Sequence, residues 1–291
     1  MKKFCGLISL LRPKQAHKSL VVFSVPVMSG EIILWETSSW ISAFQIALNF
    51  LLASMGIYAV NDIADLTEDL LHPVKKRRPL PMDIITVHDA LILGVSLILI
   101  SLVASHYYTP KILPILVIYV SISLSYTFWL KKIAIVEMVA VASGFFLRAA
   151  SGEFLVKDKP SIWFYLVLAF GSLSLITGKR IAEKQMDENI QRQVVREYSD
   201  AFLQNILLLF ITSIIICYSV YLSIESERYS GTFEKALLYL TLPVVLVISL
   251  KILGLAMKGA LQKPEEIFYR SKDIAVGCVV FFTLFALRMQ L

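Results

Sequence analysis

Residues 40–60 read WISAFQIALNFLLASMGIYAV, and residues 61–81 continue NDIADLTEDLLHPVKKRRPLP. The first stretch has no charged side chain over 21 residues. As a helix it is about 30 Å long, the thickness of a bilayer's hydrocarbon core. The second stretch brings four acids and then the cations Lys75, Lys76, Arg77 and Arg78. If the helix runs on past Val60, Asp62, Asp65 and Asp69 stand at i, i+3 and i+7, with Asn61 four before Asp65, and all four share one face. Carboxylates crowded that closely repel one another until something neutralises them. A hard divalent cation does so, and Mg²⁺ characteristically bridges carboxylates to a substrate's phosphates. The basic run beyond is placed to hold the remaining phosphate charge. The stretch therefore reads as a metal–diphosphate site at a membrane surface.

The rest of the chain has the same texture. Of its 291 residues 57% are hydrophobic, and the mean hydropathy of +0.72 belongs to an integral membrane protein. Spans near membrane-crossing length fall at 20–35, 40–60, 88–105, 112–130, 133–156, 161–177, 201–224, 236–257 and 274–290. With the N-terminus inside, 20 of the 28 Lys and Arg residues lie on the inner side, six on the outer, and Arg148 and Lys251 within spans. That split follows the positive-inside rule. The expected fold is all-α: one transmembrane domain over 1–291, with about nine helices around a central cavity open to the cytoplasmic face. The net charge of +6 sits in short loops between spans, which argues for topology and an anionic substrate and against nucleic acid. Cys5, Cys217 and Cys278 show no paired spacing, so neither a disulfide framework nor a zinc site is expected. The basic N-terminal segment has no small-residue cleavage site after it and reads as leading into a retained first helix.

A second inner loop, 178–200, pairs with the first, 61–87. Lys179-Arg180-x-x-Glu183-x-x-x-Asp187 repeats the spacing of Asn61-Asp62-x-x-Asp65-x-x-x-Asp69, four spans later. The parallel suggests two helical halves facing a common cavity. Cations where the first motif has Asn61 and Asp62 point to direct contact with an anionic oxygen, with Glu183 and Asp187 orienting them or touching a metal or hydroxyl. The bland alternative is an exposed helix, but the pairs Arg180–Lys184 and Glu183–Asp187 are like-charged and disfavoured on an idle surface. Arg148, well inside the fifth span, requires a partner; Glu137, Glu153 or a phosphate are the candidates. Its small neighbours Ser143, Gly144, Ala149, Ala150 and Gly152 also permit close helix packing. Lys14 and Lys18 share a face if their segment is an α-helix, and interfacial snorkelling explains them as well as substrate binding does.

These residues resemble the UbiA superfamily of intramembrane polyprenyltransferases, nine-helix proteins whose aspartate-rich loops bind Mg²⁺ and a diphosphate leaving group. Within it the chain looks like the decaprenyl-phosphate phosphoribosyltransferase branch. The likeness rests on Leu11-Arg12-Pro13-Lys14-Gln15 with Lys18, and on Asn61-Asp62-x-x-Asp65-x-x-x-Asp69-x-x-His72-Pro73-x-Lys75-x-x-Arg78-Pro79. Leu147-Arg148-Ala149 with Gly152, Gly178-Lys179-Arg180-x-Ala182-Glu183, and Pro264-Glu265 before Asp273 extend it. Two positions depart: Glu137 replaces an expected aspartate, and Asp83 stands where a glycine commonly follows the proline. The resemblance implies Mg²⁺-dependent transfer of 5-phosphoribose from phosphoribosyl diphosphate to a polyprenyl phosphate in the plasma membrane, on the cytoplasmic side. It implies Asp62, Asp65, Lys179 and Arg180 as catalytic and Asp62, Asp65 and Asp69 as metal ligands. The substrate-binding set it implies is Lys14, Lys18, Asn61, His72, Lys75, Arg78, Tyr126, Arg148 and Glu183. Membrane lipids are expected partners, and a homo-oligomer is left open. Two other readings compete: a prenyltransferase acting on an aromatic acceptor, which calls for a second carboxylate-rich motif, and a transporter of anionic metabolites with Arg148 in its path.

Overall fold

The computed structural model describes residues 2–34, 36–186, 193–263, 266–267 and 271–289. Asp187, Arg192, Pro264, Glu265 and Arg270 lie outside the described residues. Among those described every regular element is a helix. Among the described residues seven helices are long and apolar enough to cross a membrane: Thr37–Ala64, Val87–Tyr108, Pro110–Phe128, Val136–Leu155, Ile162–Lys184, Asp200–Ser226 and Thr232–Met257. In lipid a helix satisfies its own backbone groups, so an apolar run of this length has few alternatives. The protein is a multi-pass membrane protein.

The two other expected spans take different forms. At 20–35 the chain is not one α-helix: a 3₁₀ segment, Pro13–Phe23, runs directly into α2, Ser24–Ser29, which ends at Gly30 with φ 81°. At about 2.0 Å rise per 3₁₀ residue this composite reaches about 31 Å. The ninth, Lys272–Met289, is 18 residues long and carries three charged residues, Lys272, Asp273 and Arg288, at its two ends, more than the seven crossing helices hold in an apolar stretch of that length.

The chain divides into two compact units, Met1–Lys159 and Pro160–Leu291. In the first unit α1 (Lys2–Leu10) precedes the 3₁₀ segment and α2; α3 (Thr37–Ala64), α4 (Leu66–Leu71), α5 (Val87–Tyr108), α6 (Leu113–Phe128) and α7 (Val136–Ser151) follow. Helices α3 and α5 approach each other closely. A Cβ on Gly56 would lie 2.5 Å from the Gly94 carbonyl oxygen, and Ala53, Ala59 and Ala90 keep the seam thin. Gly56→Leu therefore overpacks a seam that cannot widen locally. The expected loss is about 1–3 kcal/mol or more, read as earlier thermal unfolding of the purified protein.

This antiparallel pair sets both ends of the 65–86 connection at one membrane face. The connection is tied down by Leu80 and Ile85, which are buried with Leu10, Ala59 and Ala90. Thr86 and Asp89 form a capping box that starts α5. Asp83 adopts φ 53°, a left-handed conformation that glycine takes without cost and aspartate tolerates. The departure noted at this position is thus a backbone requirement met by a second-best residue.

The second unit holds α8 (Ile162–Lys184), α9 (Gln193–Glu197), α10 (Asp200–Ser226), α11 (Thr232–Tyr239), α12 (Thr241–Met257) and α13 (Lys272–Met289). Helices α8 and α10 pack through Phe164 on Tyr221 and Phe170 on Phe210. Tyr218 and Thr241 share a 2.6 Å hydroxyl contact that links α10 to α12.

Candidate functional site

The aspartate motif spans a helix break rather than one continuous helix. Helix α3 stops at Ala64, Asp65 takes φ −93° and ψ 2°, and α4 resumes at Leu66. Asp62 thus ends one helix and Asp69 sits on the next. They nevertheless converge, because Arg78 reaches both: its Nη1 lies 3.1 Å from Asp62 Oδ1 and 2.6 Å from Asp69 Oδ2. Lys75 Nζ stands 3.7 Å from Asp69 Oδ1. That oxygen is buried and has no hydrogen-bond partner. Asp62 is also paired with Arg12, whose guanidinium lies over the Tyr58 ring, 5.1 Å from its centroid. Asp65 accepts a 2.8 Å hydrogen bond from Asn61 Nδ2 and pairs with Lys131.

Three acids therefore meet four cations. Two of the four, Arg12 and Lys131, lie 50 and 66 residues from their partners. Sequence spacing alone does not link them, although Arg12 stands in a quoted motif. A signal was present at Arg12: it precedes Pro13, and it adopts φ 51° and ψ 57°, a strained backbone for a non-glycine residue.

Among the described residues no three His, Cys, Asp or Glu side chains are gathered closely enough to hold a metal unaided. Each of the three aspartates is instead turned to a cation of the protein. The donor set still suits a hard ion. Two carboxylate oxygens converge on one positively charged nitrogen, and Asp69 Oδ1, which accepts no hydrogen bond, is a further oxygen ligand beside them. Phosphate oxygens and water ordinarily complete such a sphere for Mg²⁺.

The remaining candidates distribute unevenly. His72 Nδ1 accepts the backbone N–H groups of Val74 and Lys75 at 3.1 and 3.2 Å, so this nitrogen pins the turn. Tyr126 is half-buried in the last turn of α6. Lys14 and Lys18 do not share a face: in a 3₁₀ helix, at three residues per turn, positions four apart point about 120° apart. Lys14 is exposed, and Lys18 donates to Gln15 Oε1 at 3.1 Å.

Arg148 is buried, and its partners are hydroxyl and carbonyl oxygens rather than the expected carboxylates. Its Nη2 donates to Ser54 Oγ at 2.8 Å and to the Tyr119 hydroxyl at 2.7 Å, and its Nη1 to the Gly144 carbonyl at 2.9 Å. The Tyr119 ring centroid is 4.6 Å from the guanidinium. Glu153 pairs with Lys159 instead. Glu137 stands eleven residues away on the same helix, which is about 16 Å. Arg148 thus joins α3, α6 and α7, and Gly144 leaves it room. Gly152 serves close packing in turn, admitting Val22, Val25 and Pro26.

In the second unit α8 continues through Lys184, so Lys179, Arg180 and Glu183 lie on its final turns rather than in a loop. Arg180 is 2% exposed and pairs with Glu183 at i, i+3. Lys184 turns away to the Tyr198 carbonyl. The like-charge argument made from spacing was therefore incomplete: the i, i+3 pair removes the conflict between Arg180 and Lys184. Gly178, packed on Ala256 and Leu261, brings α8 against the chain that follows α12.

Known proteins match this arrangement along most of its length. The family model "UbiA prenyltransferase family" matches residues 23–265. A decaprenyl-phosphate phosphoribosyltransferase of Mycobacterium tuberculosis is 30% identical over 273 residues, 92% of this chain and 88% of that protein. One from Mycolicibacterium smegmatis is 33% identical over 74% of this chain and 70% of its own length. Among solved structures, a UbiA homolog from Archaeoglobus fulgidus bound to DMAPP and Mg²⁺ superposes with a TM-score of 0.72 at 14% identity, over 94% of this chain and 98% of that one. With its helical membrane fold and its aspartate motif at the end of a span, and with a family match running from the first helices to the last loop, the chain belongs to the UbiA prenyltransferase family.

Proposed function

We propose that the protein transfers 5-phosphoribose from phosphoribosyl diphosphate to a polyprenyl phosphate, releasing diphosphate, with Mg²⁺ as cofactor, at the cytoplasmic face of the plasma membrane. The observation that carries this reading is the charge inventory around Asp62, Asp65 and Asp69: four cations for three acids, three of them (Arg12, Lys75 and Arg78) on the buried pair Asp62 and Asp69 and the fourth, Lys131, on Asp65. A site that must hold a diphosphate, a sugar phosphate and a lipid phosphate needs that positive excess. The names of the mycobacterial relatives support the same substrates.

Asp62 and Asp69, with Asp65 oriented by Asn61 as a third carboxylate, would hold the metal, which would supply charge neutralisation of the leaving diphosphate. Arg78 and Lys75, released from the carboxylates, take phosphate oxygens. A bond forms between an acceptor phosphate oxygen and C1 of ribose while the bond from C1 to diphosphate breaks, and the electron pair leaves with the diphosphate. The acceptor is already an anion, so no strong general base is required. Lys179 and Arg180, with Glu183 holding the guanidinium, stabilise anionic oxygen in the same reaction. The two polar helix ends are a pseudo-repeat, each half contributing one.

The test is incubation of membranes containing the protein with polyprenyl phosphate and radiolabelled phosphoribosyl diphosphate. Label is expected in the organic phase with Mg²⁺ and not after chelation. Label that instead crosses sealed vesicles unchanged would identify a transporter.

A further inference from the structure

The Lys75–Arg78 run divides in two. Lys75 and Arg78 turn inward onto Asp69 and Asp62. Lys76 and Arg77 are exposed, and among the described residues neither has a side-chain hydrogen bond or ion pair. Beside them stand Leu71 and Val74, 88% and 71% exposed. Leu71 is the most exposed large apolar side chain among the described residues, and it lies outside every membrane-crossing helix. A flexible loop would carry no meaning here, but this turn is held. His72 Nδ1 binds the Val74 and Lys75 amides, Lys76 N–H donates to the His72 carbonyl at 3.1 Å, and Leu80 anchors the exit. The turn sits at the membrane face where α3 ends and α5 begins. Helix α1 packs against the same connection through Gly6 on Ile84 and Ile85, and it too exposes an apolar side chain, Phe4. Glu68 is the one exposed acid on α4 beside the turn.

We propose that Leu71, Val74, Lys76 and Arg77 form an edge that docks on the bilayer itself, the apolar pair entering the headgroup layer and the two cations meeting anionic phospholipid phosphates. Charge complementarity selects this occupant. An exposed apolar pair alone fits many partners, but unpaired cations beside it at a leaflet surface match anionic headgroups. Docking holds the inward-facing Lys75 and Arg78 at the height of lipid phosphates, so a charged lipid acceptor need not leave its leaflet to reach them. The proposal stands whether or not the phosphoribosyl reading does.

The experiment places an environment-sensitive fluorophore on Val74→Cys in a Cys5→Ser, Cys278→Ser background, in nanodiscs of phosphatidylcholine alone or mixed with phosphatidylglycerol. The expected result is blue-shifted emission and reduced iodide quenching in the anionic discs. Raising ionic strength from about 0.01 M to about 1 M, which shortens the Debye length from about 30 Å to about 3 Å, reverses both. Lys76→Gln with Arg77→Gln removes the dependence on anionic lipid while leaving the rate in detergent unchanged. Identical emission in the two disc types, or a shift indifferent to the double substitution, overturns the proposal. So does a shift that needs an added soluble protein in place of anionic lipid.

Discussion

Asp62→Asn is expected to lower turnover by about 10²–10³-fold or more while the protein still folds, because neutralising the leaving diphosphate is the main task left to the site. The substitution keeps the shape of the side chain and removes its charge. Arg12 and Arg78 then lose one partner, but their side chains are 24% and 28% exposed, so water compensates much of that loss. The stability change should therefore be small beside the change in rate. Thermal unfolding and size-exclusion profiles matching the wild type, together with the lost rate, are the expected pattern. A wild-type rate would remove Asp62 from the metal site and with it the reading of the motif.

Arg180→Asp is expected to abolish transfer, with a structural cost as well. Arg180 is nearly fully buried beside Glu183, so inversion sets two carboxylates three residues apart on one helix face, where an unpaired buried charge costs about 3–5 kcal/mol. Two further variants separate chemistry from folding. Arg180→Asp combined with Glu183→Arg restores an ion pair and should recover thermal stability but not turnover. Arg180→Lys keeps the charge without the planar fork and should fall between wild type and the inversion. If the swapped pair regains full activity, Arg180 is a structural residue and the second polar helix end has no part in the reaction.

Both variants depend on features legible in the sequence to different degrees. The seven long apolar helices match the expected spans at 40–60, 88–105, 112–130, 133–156, 161–177, 201–224 and 236–257. The first expected span differs because hydropathy reports how apolar a segment is, not whether its backbone coils as α or 3₁₀. Asp62 and Asp69 were placed on one helical face, and they do share Arg78, but they reach it across the break at Asp65. Arg148 shows the opposite case. Its burial was expected from position alone, yet its hydroxyl partners came from α3 and α6, which no spacing within α7 could indicate.

The chain's order of residues by itself determined that the protein lives in a membrane as a set of helices, and where its polar chemistry gathers. Uncharged runs of bilayer length must form helices to satisfy their own backbone, and charges must collect at their ends. Only the tertiary structure decided which cation meets which acid. Arg12 with Asp62, Lys131 with Asp65, and the inward or outward turn of each member of the Lys75–Arg78 run depend on elements brought together from distant positions or on a single fixed turn. Coulomb attraction between such groups acts through space, and only packing sets that distance.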